Sequence, residues 1–418
     1  MRRTVRQAPA KEKVHPGPTG ESATGVTVDT RVLVIQSLIP VVLERVAELL
    51  AADVVAIAGA RYARTDHAPH CVRWGRQAGS IYLGDQKVPI EVPRVRDRVA
   101  NTEMPLPSYQ ALQAPQAVDQ AVLLRILGGL STREYDRCVR LVPEAFGLSA
   151  SSVSRRFRRA SRRALVALQS RRLGGEPVVA VVLDGKTFAE DAMVVAVGVL
   201  ATGEKRILGM VQTATENRPV CAALLRDLLE RGLRIDDGIL VVVDGSKGLA
   251  AAVREVFGAS AAIQRCQWHK RENVLRYLPK AHQAGFRGKL QRAYDQPTYE
   301  RAKQALANVR KELTVLNSSA AASLDEGLDE TLTLHRLGCG RGLGLSLKTT
   351  NILESIHARV ASRTDKVDVW RNSDQKQRWV AAALLDLEPR LHRIKGFKAL
   401  PHLQLALARR CRAPQKAA

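Results

Sequence analysis

The chain has 418 residues, 45% of them hydrophobic, so it is long enough for two or three domains with apolar cores and too apolar to be a disordered chain. Lys and Arg number 65 against 41 Asp and Glu, a formal net charge of +24, which points to a polyanionic partner, nucleic acid first and an anionic membrane surface second. The 6 cysteines follow no regular spacing, which argues against a disulfide framework and for a reducing cytoplasmic interior. No apolar run approaches a membrane span, and the N-terminal "MRRTVRQAPAKEKVHPGPTGES" lacks the apolar centre of a signal peptide, so no membrane partner is expected.

Residues 1–28 are polar and rich in Pro, Gly and charge, and read as a flexible tail. Residues 29–115 read as a helical and β-hairpin region serving DNA contact or dimerisation. In it, "TRVLVIQSLIPVVLERVAELLAADVVAIA" has helical apolar spacing, with Pro40 expected to kink or break the helix. "SIYLGDQKVPIEVPRVR" alternates apolar and polar residues about a turn at Gly84 and Asp85, which predicts a hairpin with Arg94, Arg96 and Arg98 along its base. His67, His70 and Cys71 lie close together just before it, but no second half with ligand spacing follows and zinc is not assigned.

Residues 116–175 read as a helix-turn-helix domain. Ser131 and Glu134 have capping-box spacing, and Tyr135, Val139, Val142 and Phe146 then share one helical face ending at Gly147. Ser149 caps a second helix whose buried stripe is Val153, Phe157, Ala160, Ala164 and Leu168. Its other side carries Arg155, Arg156, Arg158, Arg159, Arg162 and Arg163, with no acid between 151 and 175 to neutralise them. Such a face suits phosphates, with Ser151, Ser152 and Arg155 nearest to base edges; the plainer alternative is a solvated basic face.

From residue 177 the pattern changes to β-β-β-α-β-α-β. "VVAVVLD" (178–184) and "GILVVVD" (238–244) are near-continuous apolar runs, as doubly covered central strands should be, and each ends on an acid followed by Gly. An Asp-Gly at a strand end is by itself ordinary turn chemistry. If the two strands are neighbours, however, Asp184 and Asp244 meet at one edge of the sheet, and two carboxylates placed together are relieved by a bound divalent cation.

Three segments, "LDGKTFAEDAMVVAVGVLATGEKRILGMVQTATEN", "VVVDGSKGLAAAVREVFGASAAIQRCQWHKRENVL" and "LKTTNILESIHARVASRTDKVDVWRNSDQKQRWVAAALLDLE", resemble bacterial insertion-sequence transposases related to the eukaryotic Mutator elements. The resemblance covers about residues 105–405. It implies an α/β fold: a ribonuclease H-like core with a mixed five-stranded sheet and flanking helices, interrupted by an all-helical insertion and preceded by helical DNA-binding domains. The core then spans 176–279 and 346–395, the insertion 280–345, and a C-terminal helix and tail 396–418. The resemblance assigns Asp184, Asp244 and Glu354 as an Asp-Asp-Glu triad holding two Mg²⁺ ions, with Mn²⁺ as substitute. It places Cys266 and His269 beside the triad, His269 facing a phosphate or flipped nucleotide, and puts Trp268, Lys270 and Arg271 toward DNA.

Read from the residues alone, Glu354 lies on a helix over 349–361 with Leu353, Ile356 and Val360 inward, and its spacing from Asn351 also allows a purely local capping role. Cys266 and His269 could pair with His335 and Cys339 in a zinc site, but the halves are far apart and zinc is set aside. Trp268 either stacks on a base or fills the core, and Trp370 and Trp379 are expected to anchor the C-terminal helix on the sheet. The function implied is binding of terminal inverted repeats followed by two-metal strand cleavage and 3′-hydroxyl strand transfer into target DNA, by a homodimer or larger assembly in the cytoplasm, without a small-molecule substrate. The alternatives are a DNA-binding repressor or inactive relic, and a nuclease that cuts without joining.

Overall fold

The structure is a computed structural model that describes residues 28–62, 70–83, 86–113, 116–133, 135, 148–188, 190–215 and 217–412. The described residues fall into two compact units, the first up to residue 113 and the second from residue 116.

The first unit is built on helix α1 (Val28–Ala58), which runs through Pro40 instead of ending there, correcting the expected break. Strands β1 (Cys71–Leu83) and β2 (Gln86–Asp97) form the antiparallel hairpin, and a short β3 (Thr102–Met104) pairs with β2. The turn residues Gly84 and Asp85 lie outside the described residues, as does His67. Val46, Leu50 and Val54 recur every four residues along α1 and pack with Ile81, Val88, Val92 and Val95 of the hairpin, which is the one-sided burial its alternation predicts. Two of the three basal arginines are bound locally: Arg94 forms a two-pronged pair with Glu103, and Arg96 bonds Asn101 beneath the Trp74 ring. Helix α2 (Pro107–Gln113) closes the unit through Ser108, whose amide and hydroxyl both donate to Asp53.

The second unit begins with α3 (Gln116–Leu127) and α4 (Ala150–Ser170). Its centre is a five-stranded sheet of β4 (Val178–Phe188), β5 (Asp191–Leu200), β6 (Lys205–Thr213), β7 (Ile239–Val243) and β8 (Ala261–Arg265). The strand order is β6-β5-β4-β7-β8, antiparallel among the first three and parallel from β4 to β8. Helices α5 (Arg218–Glu230) and α6 (Lys247–Phe257) complete the β-β-β-α-β-α-β order expected from the sequence, and their Leu225, Leu228, Val253 and Phe257 pack with Val181, Leu183, Val241 and Val243 of the sheet. Arg231 ends α5 inside this layer, donating to the carbonyls of Leu168 and Leu208, so a buried cation joins α4, α5 and β6.

After α7 (Gln267–Leu275) the described chain from 280 to 347 contains helices and no strand: α8 (Lys280–Tyr294), α9 (Tyr299–Leu316), α10 (Ser318–Asp325), the single turns α11 (Leu328–Thr331) and α12 (Thr333–Arg336), and α13 (Gly340–Leu347). They bury Phe286, Leu290, Leu306, Leu313 and Leu324 in a core of their own. Helices α14 (Asn351–Thr364) and α15 (Ser373–Leu387) then pack on β4 and β6, and α16 (Leu400–Arg412) ends the described chain. Trp379 of α15 lies against Phe157 of α4 at 4.4 Å between ring centroids, and Trp370 meets Phe188 of β4 edge-on at 4.8 Å. The expected tryptophan anchor is thus divided: Trp370 reaches a strand, while Trp379 fastens the following helix to α4.

Helix α4 departs from its expected polarity. Ser149 caps it, accepting from the Ser152 amide, and Val153, Phe157, Ala160 and Leu168 are buried, but Ala164 is half-buried and Leu165 completes the stripe. Arg156 is not on the outer face. It is buried and donates to Asp119 of α3, and Arg159 and Arg163 close on the same carboxylate. Burial alone would raise the Asp119 carboxyl, but the three guanidiniums outweigh it and hold the group below the usual carboxylate value.

Replacing Asp119 by Ala removes the buried carboxylate on which Arg156, Arg159 and Arg163 converge, a change that costs about 3–5 kcal/mol where a buried pair is broken. The expected result in urea unfolding is a lower midpoint with unchanged slope. Because the folded-state carboxyl titrates below its unfolded value, its contribution is complete above about pH 4 and is lost as pH falls through the depressed folded value, so the substitution also flattens the acid limb of the stability profile.

Candidate active site

The parallel pairing of β4 with β7 sets Leu183 opposite Val243. Asp184 and Asp244 are the next residue on each strand path, so the two acids occupy neighbouring positions where β7 ends; β4 itself runs on past its acid, paired with β5 as far as Phe188, which corrects the expected strand end at Asp184. Asp184 is 7% exposed and still within β4. Asp244 lies just past β7, where its Oδ1 accepts from the Ser246 amide at 2.8 Å. Turn chemistry therefore explains one oxygen of Asp244. Gly245 follows with φ +119°, a conformation side-chain-bearing residues rarely adopt, and Ser246 caps α6 by accepting from Leu249.

Glu354 enters from α14, which packs on β4 and buries Leu353, Ile356 and Val360 as its periodicity predicts. The capping-box alternative is not realised. The N-cap is Thr350, without a side-chain capping bond, and the Glu354 Oε1 atom is buried with no hydrogen-bond partner. An acid in the first turn of a helix meets the positive end of the backbone dipole. One turn on, His357 is also buried with Nε2 unpartnered. Burial, and next the Lys186 cation, push its imidazole down to about 4 against an opposing backbone contact with Asp184, so the ring is neutral at neutral pH. Sequence reasoning did not single out His357; the signal was its i+3 spacing from Glu354 on the core-facing side of the same helix.

Cys266 and His269 reach the same place from α7. Cys266 is fully buried at the helix start, with its amide bonded to the Val243 carbonyl at 2.7 Å. Burial pushes its thiol up, away from the thiolate form that a nucleophile needs. The Thr350 hydroxyl lies 3.8 Å from Cys266 Sγ and 3.4 Å from His269 Nδ1, while His269 Nε2 is 4.0 Å from Glu354 Oε1. "CQWH" and "KTTN" thus dock on each other beside Glu354. Trp268 is 42% exposed with its ring edge-on to His269, which removes the core-filling alternative.

Lys270 and Arg271 do not point outward as the resemblance implied. Lys270 is 2% exposed and donates to the Ser323 and Glu326 carbonyls, and its burial lowers its pKa to about 8. Arg271 is drawn to Glu272 and Gln291. Among the zinc alternatives, His335 Nε2 lies 3.1 Å from the Tyr294 carbonyl and Cys339 Sγ donates to the Leu337 carbonyl.

A hard divalent cation takes oxygen ligands. Asp184, Asp244 and Glu354 supply them, and the orphaned Glu354 Oε1 is the kind of buried acceptor such an ion satisfies. Among the described residues no three His, Cys, Asp or Glu side chains already converge into a closed ion cage. The donor set fits; the ligands would still have to draw in around the ion.

Of the six arginines on α4 only Arg156 is buried; Arg159 and Arg163 are exposed but close on Asp119, and Arg155, Arg158 and Arg162 are exposed without that tie, with Ser151 exposed beside them and Ser152 half-buried. Arg155 donates to Ser152 Oγ. Arg158 lines a cleft of about 780 Å³ together with Arg133, Lys366 and Arg371, over a floor containing Phe157 and Trp379. The last two cations follow α14, and nothing local in the sequence joins them to α4. Most of the first helix of the expected helix-turn-helix, residues 134 and 136–147, lies outside the described residues; Tyr135 is buried, with Arg125 donating to its hydroxyl. Among the described residues no helix is long and apolar enough to cross a membrane.

A family model described as "Transposase, Mutator family" matches residues 22–393. The chain is similar to the transposase for insertion sequence element ISRM5 of Rhizobium meliloti, 30% identical over 325 residues that cover 75% of this chain and 78% of that one. It is similar to the transposase for IS1081 of Mycobacterium tuberculosis, 28% identical over 354 residues and 82% of each chain. The transposase for IS256 in transposon Tn4001 of Staphylococcus aureus is 27% identical over 195 residues, 46% of this chain and 48% of that one. A match across most of the sequence, including β4, β7 and the glutamate helix, makes this chain a member of the Mutator family of transposases.

Proposed function

We propose that this insertion-sequence transposase is an Asp-Asp-Glu enzyme that cuts DNA at the ends of its element and joins the freed 3′ ends to target DNA. The observation that carries the reading is the register of β4 and β7, which puts Asp184 beside Asp244 while α14 packs on β4 with an unsatisfied Glu354 oxygen. The sheet order and its mixed sense support a ribonuclease H-like core, and the strandless helices of 280–347 support an insertion between Asp244 and Glu354.

Asp184, Asp244 and Glu354 would hold Mg²⁺, or Mn²⁺ in its place. Bound there, two such ions supply Lewis-acid stabilisation of a phosphodiester and lower the pKa of water or of a 3′-hydroxyl. The chain's own residues position the reacting groups. Thr350 orients the His269 ring through Nδ1, leaving Nε2 toward Glu354 and any phosphate seated on it. His357, neutral and buried, keeps a positive charge away from the acids that its protonated form would neutralise. Trp268 offers an exposed ring for a base, and Arg155, Arg158 and Arg162, with Arg133, Lys366 and Arg371 of the cleft, offer cations to the phosphate backbone. Cutting two ends together calls for two copies of the chain on DNA.

Asp244→Asn and Glu354→Gln are each expected to lower Mg²⁺-dependent cleavage and strand transfer at least about a hundredfold while leaving binding to labelled element ends within twofold. Gel assays of nicked and joined products decide the matter. Wild-type cutting without joined product reduces the proposal to a nuclease, and binding without cutting under Mg²⁺ or Mn²⁺ reduces it to a DNA-binding relic.

The exposed and the clamped arginines should separate in salt titrations of DNA binding. Arg158→Ala and Arg371→Ala are each expected to reduce the slope of log affinity against log salt by about 1, whereas Arg156→Met, measured on folded protein, leaves the slope unchanged.

A further inference from the structure

Asp244 sits on a turn that is anchored from outside its own strand. Arg265, the last residue of β8, is 7% exposed and spends its guanidinium on two carbonyls. Nη2 donates to Gly245, the residue after Asp244, and Nη1 donates to Glu326 at the end of α10, each at 2.7 Å. The Glu326 carboxylate lies 3.6 Å from the same guanidinium. Both contacts require bare backbone: a methyl on Gly245 would press on Nε at 2.9 Å, and one on Gly327 would collide with Nη1, while both glycines hold positive φ. Lys270, five residues on, adds a second buried cation to the end of α10 through the Ser323 and Glu326 carbonyls, where a helix presents unpaired acceptors and the negative end of its dipole.

We infer that Arg265 is a positioning residue for the active site: it ties the Asp244 turn to the helices of 280–347, so that the aim of the Asp244 carboxylate depends on how that segment docks. The inference rests on the reading of Asp244 as an ion ligand. The physical argument is that the Asp244 side chain is otherwise oriented only by its own turn bond to Ser246, and a two-residue turn after a strand end is free to rock unless its carbonyl is held. A guanidinium holds two carbonyls in a fixed fork, which a lysine ammonium does not reproduce. Lys270 secures the far side, so removing Arg265 unties the turn without freeing α10.

The experiment compares full-length wild type, Arg265→Ala, Arg265→Lys and Asp244→Asn by Mn²⁺ binding, read by electron paramagnetic resonance without DNA, with binding to element ends and thermal melting alongside. Arg265→Ala is expected to weaken Mn²⁺ binding about tenfold or more, as removal of groups that orient a ligand does, with DNA binding within twofold. Arg265→Lys is expected to fall between it and wild type. If Arg265→Ala does not fold, Arg265→Lys decides. Mn²⁺ affinity equal to wild type in a folded Arg265 variant, with Asp244→Asn weakened, overturns the role of Arg265 alone. Equal affinity in Asp244→Asn as well overturns the ion-binding reading of Asp244, and this inference falls with it.

Discussion

The parallel pairing of Val178–Phe188 with Ile239–Val243 is the constraint on which the candidate site depends. Two like-charged groups side by side on neighbouring strand paths work against that pairing. Each fully buried Val or Leu contributes about 1.5–3 kcal/mol in the other direction, and these two strands bury a run of them. The apolar strands therefore decide the register, and the acids are carried into proximity by it. Proteins hold charge in such a place only when the rest of the fold over-determines it, which is why a site of this kind sits on the most apolar strands in the chain.

The same economy governs the cations. A net charge of +24 suggests a molecule covered in available positive charge, but many arginines and lysines turn inward. Arg156, Arg231, Arg265, Lys270 and Arg378 are buried, and their donors go to an acid, a hydroxyl or backbone carbonyls that no apolar side chain would satisfy. They serve as internal ties between helices and the sheet: Arg378 of α15 reaches Ser161 of α4, and Arg231 of α5 reaches β6. One group of the exposed cations that remain for a polyanion is gathered on α4 and on the segment following α14.

What was legible and what was not divides along sequence distance. The order of strands and helices from 178 to 265, the hairpin of the first unit and the inward stripe of the glutamate helix all follow from patterns of 2 or 3.6 residues, which a short window contains. Of the two outcomes expected at Pro40, a kink or a break, the break does not occur, because a proline removes one hydrogen bond, a local penalty that a helix of 31 residues absorbs. The α4 face was misjudged for a different reason. Nothing between 151 and 175 neutralises its arginines, since the acid that does so, Asp119, is more than thirty residues upstream.

Sequence by itself determined the element types, the two apolar strands that carry the acids and the family, because apolar periodicity, the Asp-Gly pairs and the "QRCQWH" block are properties of neighbouring residues, whereas the run of β4 past Asp184 to Phe188 depends on its pairing with β5. Tertiary structure alone decided which side chains face outward and which acids meet. The adjacency of Asp184 and Asp244 required β4 and β7 to be hydrogen-bonded neighbours, although β5, β6 and α5 lie between them in the chain. The inward turn of Lys270, the clasp of Arg156 on Asp119 and the bridge from Arg265 to Gly245 and Glu326 depend on partners 20 to 61 residues away. The physical reason is that a cation's direction is set by where it finds acceptors once water is excluded, and that is known only when the packing is.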